Sequence, residues 1–189
     1  MMGTSFPTVL ERTRDGDPSA FAALWHEYQP SLLRYLRVTT RDAAEDVASE
    51  TWAAVASSIT RFDGDETAFR AWLFTVARRR AIDHFRRESR RPSVPIDPAA
   101  LCSASIAAQG VDPGDTAVSR LDTEAALQRI AELPPGQRDA VMLRAIAGLD
   151  VAHAAAIMGK RPGTVRVLAH RGLRELARQL AEEGRTVTP

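Results

Sequence analysis

Prolines at 92, 95, 98 and 113 interrupt this chain, and on both sides of them every sustained apolar period is helical. From Arg91 to about Thr116, RPSVPIDPAALCSASIAAQGVDPGDT, small residues alternate with the prolines and no period holds. Such composition reads as an extended linker. The expected fold class is therefore all-α, with two small helical domains, 1–91 and 117–182. A linker over 92–116 joins them and a tail, 183–189, follows. A chain of 189 residues accommodates two such units.

In the first unit, Gly16-Asp17-Pro18 breaks a helical stretch running from Thr8 to Thr40. Beyond it, Phe21, Leu24, Trp25, Tyr28, Leu32, Leu33, Tyr35 and Leu36 recur at helical spacing as core, and Pro30 is a point of kinking or division. Asp42 to Ile59 predicts another helix, with Ala44, Val47, Ala48, Trp52, Val55 and Ile59 inward. Asp42, Glu45, Asp46 and Glu50 crowd its other face. Carboxylates near a helix N-terminus are favoured by the macrodipole but repel one another at these spacings. The cluster is thus also a candidate docking surface for a basic partner.

Arg61 to Thr67, RFDGDET, has turn chemistry. Ala68 to Arg91 predicts one long helix, packed through Phe69, Trp72, Leu73, Val76, Ala77, Ile82 and Phe85. Seven arginines lie between positions 78 and 91, just after a run of aromatic residues. Cations and aromatic rings beside one another suit single-stranded nucleic acid, although an arginine-rich helix end is also well solvated and complements the negative helix terminus.

In the second unit, helices are predicted over Val118–Leu133 and Gln137–Ala147, separated by Pro134-Pro135. Asp150 is suited to cap a short helix that ends at Gly159, and Pro162 to open the next. In this last helix Val165, Leu168, Gly172, Leu173, Leu176 and Leu180 share one face; Arg166, His170, Arg174 and Arg178 share the other, with Arg171 beside them. A short helix, a tight turn and a longer helix basic along its free stripe are the plan of a helix-turn-helix. A solvated helical hairpin has the same local pattern.

Formal net charge is +1, so overall charge does not argue for nucleic acid; its distribution does. Of 25 basic residues only Lys160 is lysine. The single cysteine, Cys102, excludes an internal disulfide framework and suits a reducing compartment. The expected location is the cytoplasm: no signal-like segment opens the chain, and no apolar run reaches membrane-spanning length. The histidines at 26, 84, 153 and 170 show no ligand spacing, so no metal is expected. Nothing resembles a nucleophile–base pair or a phosphate loop, and neither enzymatic activity, a cofactor nor a small-molecule substrate is expected.

Three segments in this order, DAAEDVASETW, FRAWLFTVARRRAIDHFRR and LPPGQRDAVMLRAIAGLDVAHAAAIMGKRPGTVRVLAHRGLREL, resemble a bacterial RNA polymerase sigma factor of the extracytoplasmic-function class in the sigma-70 family. The resemblance implies a stress-response type of transcription factor that binds core RNA polymerase (the β′ and β subunits) and both double- and single-stranded promoter DNA. It further implies a probe of promoter sequence at two elements and a partner anti-sigma factor. By that resemblance Asp42, Glu45, Asp46 and Glu50 would meet the polymerase β′ coiled coil. The loop Arg61–Thr67, with Arg61, Phe62 and Asp63, would hold a base flipped from the minus-ten strand. Arg78, Arg79, Arg80, Asp83, His84, Arg86 and Arg87 would line the adjoining track. Lys160, Arg161, Thr164, Arg166, His170 and Arg171 would approach the minus-thirty-five duplex.

The chain departs from the family pattern at Arg79, where asparagine is common, and at His153, which replaces a frequent glutamate and forfeits the capping-box partner of Asp150. Val167-Leu168 stands where a Ser-Arg pair is common. Two other readings fit parts of the pattern: a stand-alone helix-turn-helix regulator, and a polymerase-binding adaptor without promoter activity. No third domain is expected after Leu180.

Overall fold

The computed structural model describes residues 5–88 and 117–186, with side chains from 124 to 182 in the second stretch. Residues 1–4, the expected linker with Cys102, positions 89–91 of the expected long helix and the last three residues lie outside the described residues. All regular elements described are helical. The first unit consists of α1 (Phe6–Arg14), α2 (Pro18–Thr40), a 3-10 turn (Arg41–Ala43), α3 (Ala44–Ser58), a second 3-10 turn (Ile59–Arg61) and α4 (Glu66–Glu88). The second consists of α5 (Ala117–Glu132), α6 (Pro135–Val141), a π turn (Met142–Ile146), α7 (Val151–Met158) and α8 (Pro162–Thr186).

The break between α1 and α2 comes from Asp17, which caps α2 through the Ser19 N–H at 2.8 Å and the Ala20 N–H at 3.4 Å. It also accepts from the Ser19 hydroxyl at 2.7 Å and pairs with Arg12 at 2.6 Å. Those bonds, Ser19 first and Arg12 second, hold its carboxyl at about 2 instead of the ordinary 3.8. A depressed carboxyl contributes stability that is complete above its unfolded value and disappears as pH falls through the folded one. Unfolding curves recorded from pH 3.8 down to about 2 should therefore show stability falling. Asp17→Asn, which can still cap, should flatten part of that slope.

Pro30 lies inside α2 without dividing it. α3 packs against both α2 and α4, and α1 lies across α2. Thr40 and Thr51 are buried without penalty, because their hydroxyls donate to the Leu36 and Val47 carbonyls at 2.8 and 2.7 Å. In the second unit α6 and α7 both pack on α8. Gly159 ends α7 in the left-handed conformation at φ 61°, and the Lys160 N–H returns to the Ala155 carbonyl at 3.0 Å, so α8 begins at a fixed angle.

Several expected core positions are surface. Trp25 is 37% exposed, at the margin of the α2 stripe. Ile82 and Phe85 are exposed, and Ala81 is the last buried residue of α4. Leu173 and Leu180 are exposed as well. At 100° per residue they sit roughly 80° and 60° from Val165, on the flank of the buried stripe of α8. The Gln137–Ala147 helix is α-helical only to Val141 and then widens into the π turn, where the Ala147 N–H bonds the Met142 carbonyl at 2.9 Å. The loop is shorter than Arg61–Thr67: Arg61 closes a 3-10 turn, and Glu66 and Thr67 already belong to α4. α8 also extends past 182, to Thr186.

Candidate nucleic-acid interface

On α3, Val47, Ala48, Thr51, Trp52 and Val55 are buried, which turns the opposite face to solvent. Glu45 and Asp46 are exposed there and Glu50 is half-buried, while Asp42, expected to open this helix, is exposed in the 3-10 turn before it. Two of the four carboxylates have cationic neighbours: Glu45 pairs with Arg37 of α2 at 3.0 Å, and both oxygens of Glu50 accept from Arg87 of α4 at 3.0 and 3.1 Å. Arg37 relieves some of the repulsion expected along α3. Arg87 joins the acidic face to the arginine block.

The loop between the second 3-10 turn and α4 is built on aromatic stacking. Phe62 lies against Trp72 at 4.9 Å with planes 20° apart, and edge-on to Phe69 at 5.6 Å. Asp65 caps α4 through the Ala68 N–H at 2.8 Å. Arg14 of α1 donates to the Phe62 carbonyl and stands 3.6 Å from the Asp63 carboxylate. Asp63 is otherwise fully exposed, and Arg61 is exposed too. Between α1 and this loop lies an open cleft of about 410 Å³, whose polar lining comes from Glu11, Arg14, Asp63, Asp65 and Glu66. Local spacing could not reveal the role of Arg14, since it lies 48 residues from its carbonyl partner.

Glu66 is fixed from two sides, by the Tyr28 hydroxyl at 3.1 Å and Arg70 at 3.2 Å. Burial first, and the Glu66 carboxylate second, push the Tyr28 hydroxyl far above its ordinary value.

The expected minus-ten cations do not form one uniform face. Arg79, Arg86 and Arg87 are exposed, while Arg80, Asp83 and His84 are half-buried. Arg86 is 4.0 Å from Asp83, one helical turn back. Arg78 points elsewhere: its Nη1 donates to Asp139 of α6 at 2.6 Å. Burial, the largest influence, opposes its charge, but Asp139 and Tyr35 together outweigh it and hold the guanidinium above its ordinary value.

In the second unit Lys160, Arg161, Thr164, Arg166, His170 and Arg171 are all exposed around the turn and the first half of α8. Val165 anchors that half-helix and is fully buried. Val167, on the exposed side, is 49% exposed, while Leu168 is half-buried and packs on the core. Arg178 belongs to a separate cluster with Glu175 and Glu182 at 2.5 and 2.6 Å. Asp150 still caps α7 by accepting from the His153 backbone N–H at 2.8 Å, and the His153 ring Nδ1 lies 3.0 Å from the same carboxylate without replacing the reciprocal capping-box bond.

Among the described residues no group of three or more His, Cys, Asp or Glu side chains is placed to hold a metal ion. No described helix is long and apolar enough to cross a membrane.

Residues 24–91 match the model of Sigma-70 region 2, and residues 123–176 match that of Sigma-70, region 4. The chain is 34% identical to the ECF RNA polymerase sigma factor BldN of Streptomyces coelicolor, over 94% of this chain and 66% of that protein's length. It is 30% identical to the ECF RNA polymerase sigma factor ShbA of Streptomyces griseus over 95% of this chain and 97% of the relative. Among solved structures, CnrH in complex with the cytosolic domain of CnrY superimposes with a TM-score of 0.61 at 22% identity, covering 93% of this chain and 96% of CnrH. The sigma factor RpoE, in complex with the anti-sigma factor NepR from Bartonella quintana, gives 0.63 at 23% identity, covering 85% and 96%. Those two likenesses establish the shared fold. The acidic helix, the arginine-bearing α4 and the helix-turn-helix are thus parts of a non-enzymatic initiation factor that directs RNA polymerase to promoters, and the chain belongs to the extracytoplasmic-function class of sigma-70 family sigma factors.

Proposed function

We propose that α3 docks on the core polymerase through Asp42, Glu45, Asp46 and Glu50, that the 62–65 loop and α4 read and open the minus-ten element, and that the first half of α8 reads the minus-thirty-five duplex. The domain limits 1–91 and 117–182 belong to the same reading. The observation that carries it is the separation of two cation clusters on two helical units, with an acidic face beside only the first of them. In the minus-ten region, Arg61, Phe62 and Asp63 take the extruded base, while Arg78, Arg79, Arg80, Asp83, His84, Arg86 and Arg87 follow the strand. Extruding a base costs a few kcal/mol, which stacking and charge-assisted contacts offset. In the upstream element, Lys160, Arg161, Thr164, Arg166, His170 and Arg171 divide between phosphates and base edges. The protein works in the cytoplasm, with core polymerase and an anti-sigma factor as partners. CnrH and RpoE were each solved with a protein partner, and NepR is described as an anti-sigma factor.

The test is in-vitro transcription with purified core polymerase on a pool of genomic promoter fragments. New discrete start sites should require this protein. Arg166→Ala with Arg171→Ala should reduce them at least tenfold, since each lost base or phosphate contact is worth about 1–3 kcal/mol. Tight duplex binding without polymerase, and no new transcripts, would instead identify a stand-alone regulator. Polymerase binding with no transcripts would identify an adaptor.

A further inference from the structure

The two helical units are in contact: α5 and the π turn lie on α2, and α7 lies on α4. Two cationic contacts mark this interface. Arg78 and Asp139 meet at 2.6 Å with side chains only 25% and 14% exposed. Tyr35 is 1% exposed beside them, its hydroxyl pushed up to about 12, by burial first and Asp139 second. Arg70, anchored by Glu66, donates to the Gly148 carbonyl at 3.4 Å. Gly148 stands at the corner where the π turn gives way to α7, and the Leu149 N–H bonds the Leu143 carbonyl there at 3.1 Å. The interface is therefore a set of directed polar contacts on a packed apolar base.

The same arrangement cannot serve a promoter. Elements centred near minus ten and minus thirty-five are about 25 base pairs apart, or about 85 Å at about 3.4 Å per step. A unit of this size has a radius of gyration of about 12 Å, so two units in contact have centres only about 30 Å apart. The chain between Glu88 and Ala117 can reach about 100 Å at full extension, enough for both elements to be held at once.

We propose that the Arg78–Asp139 contact is an intramolecular lock: Asp139 competes with promoter DNA for Arg78 and keeps the free chain closed on the α2–α4 face. The lock rests on the reading that gives Arg78 to the minus-ten strand. Occupation of Arg78 by phosphate and separation of the units are then one event, so initiation complexes select the open chain. Asp139 touches no DNA in this scheme; it sets how much of the free protein is competent.

The test uses the full chain with Cys102→Ser and spin labels at Ala56→Cys and Ala177→Cys, both exposed and on different units. The free protein should give a short-distance population. Asp139→Ala should move the closed-to-open ratio toward longer distances by about tenfold, the factor expected of a partly exposed charge-assisted hydrogen bond. It should also raise transcription at limiting protein concentration. Joint exchange, Arg78→Asp with Asp139→Arg, should restore the short distance, which separates loss of the lock from loss of folding. A wild-type distance distribution in Asp139→Ala, with helical content unchanged, overturns the proposal. Opening by Asp139→Ala together with wild-type transcription by Arg78→Gln would support closure by this pair while removing Arg78 from the DNA track.

Discussion

Phe69→Ala should lower the unfolding free energy by about 3–5 kcal/mol, the cost of removing a fully buried aromatic ring that its surroundings cannot refill. Phe69 is 0% exposed and lies within 5.2–5.8 Å of four other rings: Tyr28, Phe6, Phe62 and Trp72. They come from α2, α1, the loop and α4, so one side chain joins four segments. Aromatic pairs add about 0.5–1.5 kcal/mol each beyond area burial, and proteins keep only about 5–15 kcal/mol in total. Urea titration followed by far-UV circular dichroism would give the magnitude. Fluorescence of Trp72 should change in the folded variant, because Phe62 loses one wall of its seat. Phe69→Leu should cost less. If Phe69→Ala unfolds at the wild-type midpoint, the ring cluster is not what fixes α1 and the loop on α4.

Gly172→Ala should be the largest single effect in the second unit relative to the size of the change, and its sign is decided by two opposing magnitudes. Replacing glycine by alanine inside a helix gains about 1 kcal/mol in propensity. Here the added Cβ would stand 2.7 Å from Cγ2 of Val141 and 3.4 Å from Cβ of Gln137. Val141 is 2% exposed and branched at Cβ, so it has little room to turn away. Overpacking costs about 1–3 kcal/mol, and a 2.7 Å approach to a stiff side chain belongs in the upper half of that range, so α6 must shift off α8. The expected net result is a loss of about 1–2 kcal/mol in thermal or urea unfolding. Upstream promoter affinity should weaken with it, because α8 is displaced against its own turn. Val141→Ala in the same chain should recover much of the loss. Full stability in Gly172→Ala alone would mean that the two helices separate freely.

The helices were legible because the strongest sequence signals are local. Asp17, Asp150 and Gly159 announce ends that the structure places where they were expected, and the Val47–Val55 stripe of α3 lies inward as its period requires. Stripes end less legibly than they begin: Phe85 continues the α4 pattern beyond Ala81, the last buried residue of that helix. Phe74 escaped for the opposite reason. It is fully buried edge-on to Tyr35, on a second inward side of α4 that a single apolar stripe does not describe. The exposed cations of the first half of α8 follow from helical periodicity alone. The partners of Arg14 and Arg78 do not, because they lie 48 and 61 residues away and depend on how the units pack.

The bond between Arg87 and Glu50 also bears on how a chain of net charge +1 handles a polyanion. A cation exposed to water brings a mobile anion atmosphere and displaces ions from DNA when it binds, which makes affinity fall steeply with salt. Arg87 instead brings a tethered counterion of its own chain. Binding a phosphate there exchanges one fixed anion for another and leaves the Glu50 carboxylate to be satisfied by a second partner. On the proposed docking and minus-ten roles, capture of the acidic face by a basic surface would free Arg87 for DNA, and each association would favour the other through charge exchange.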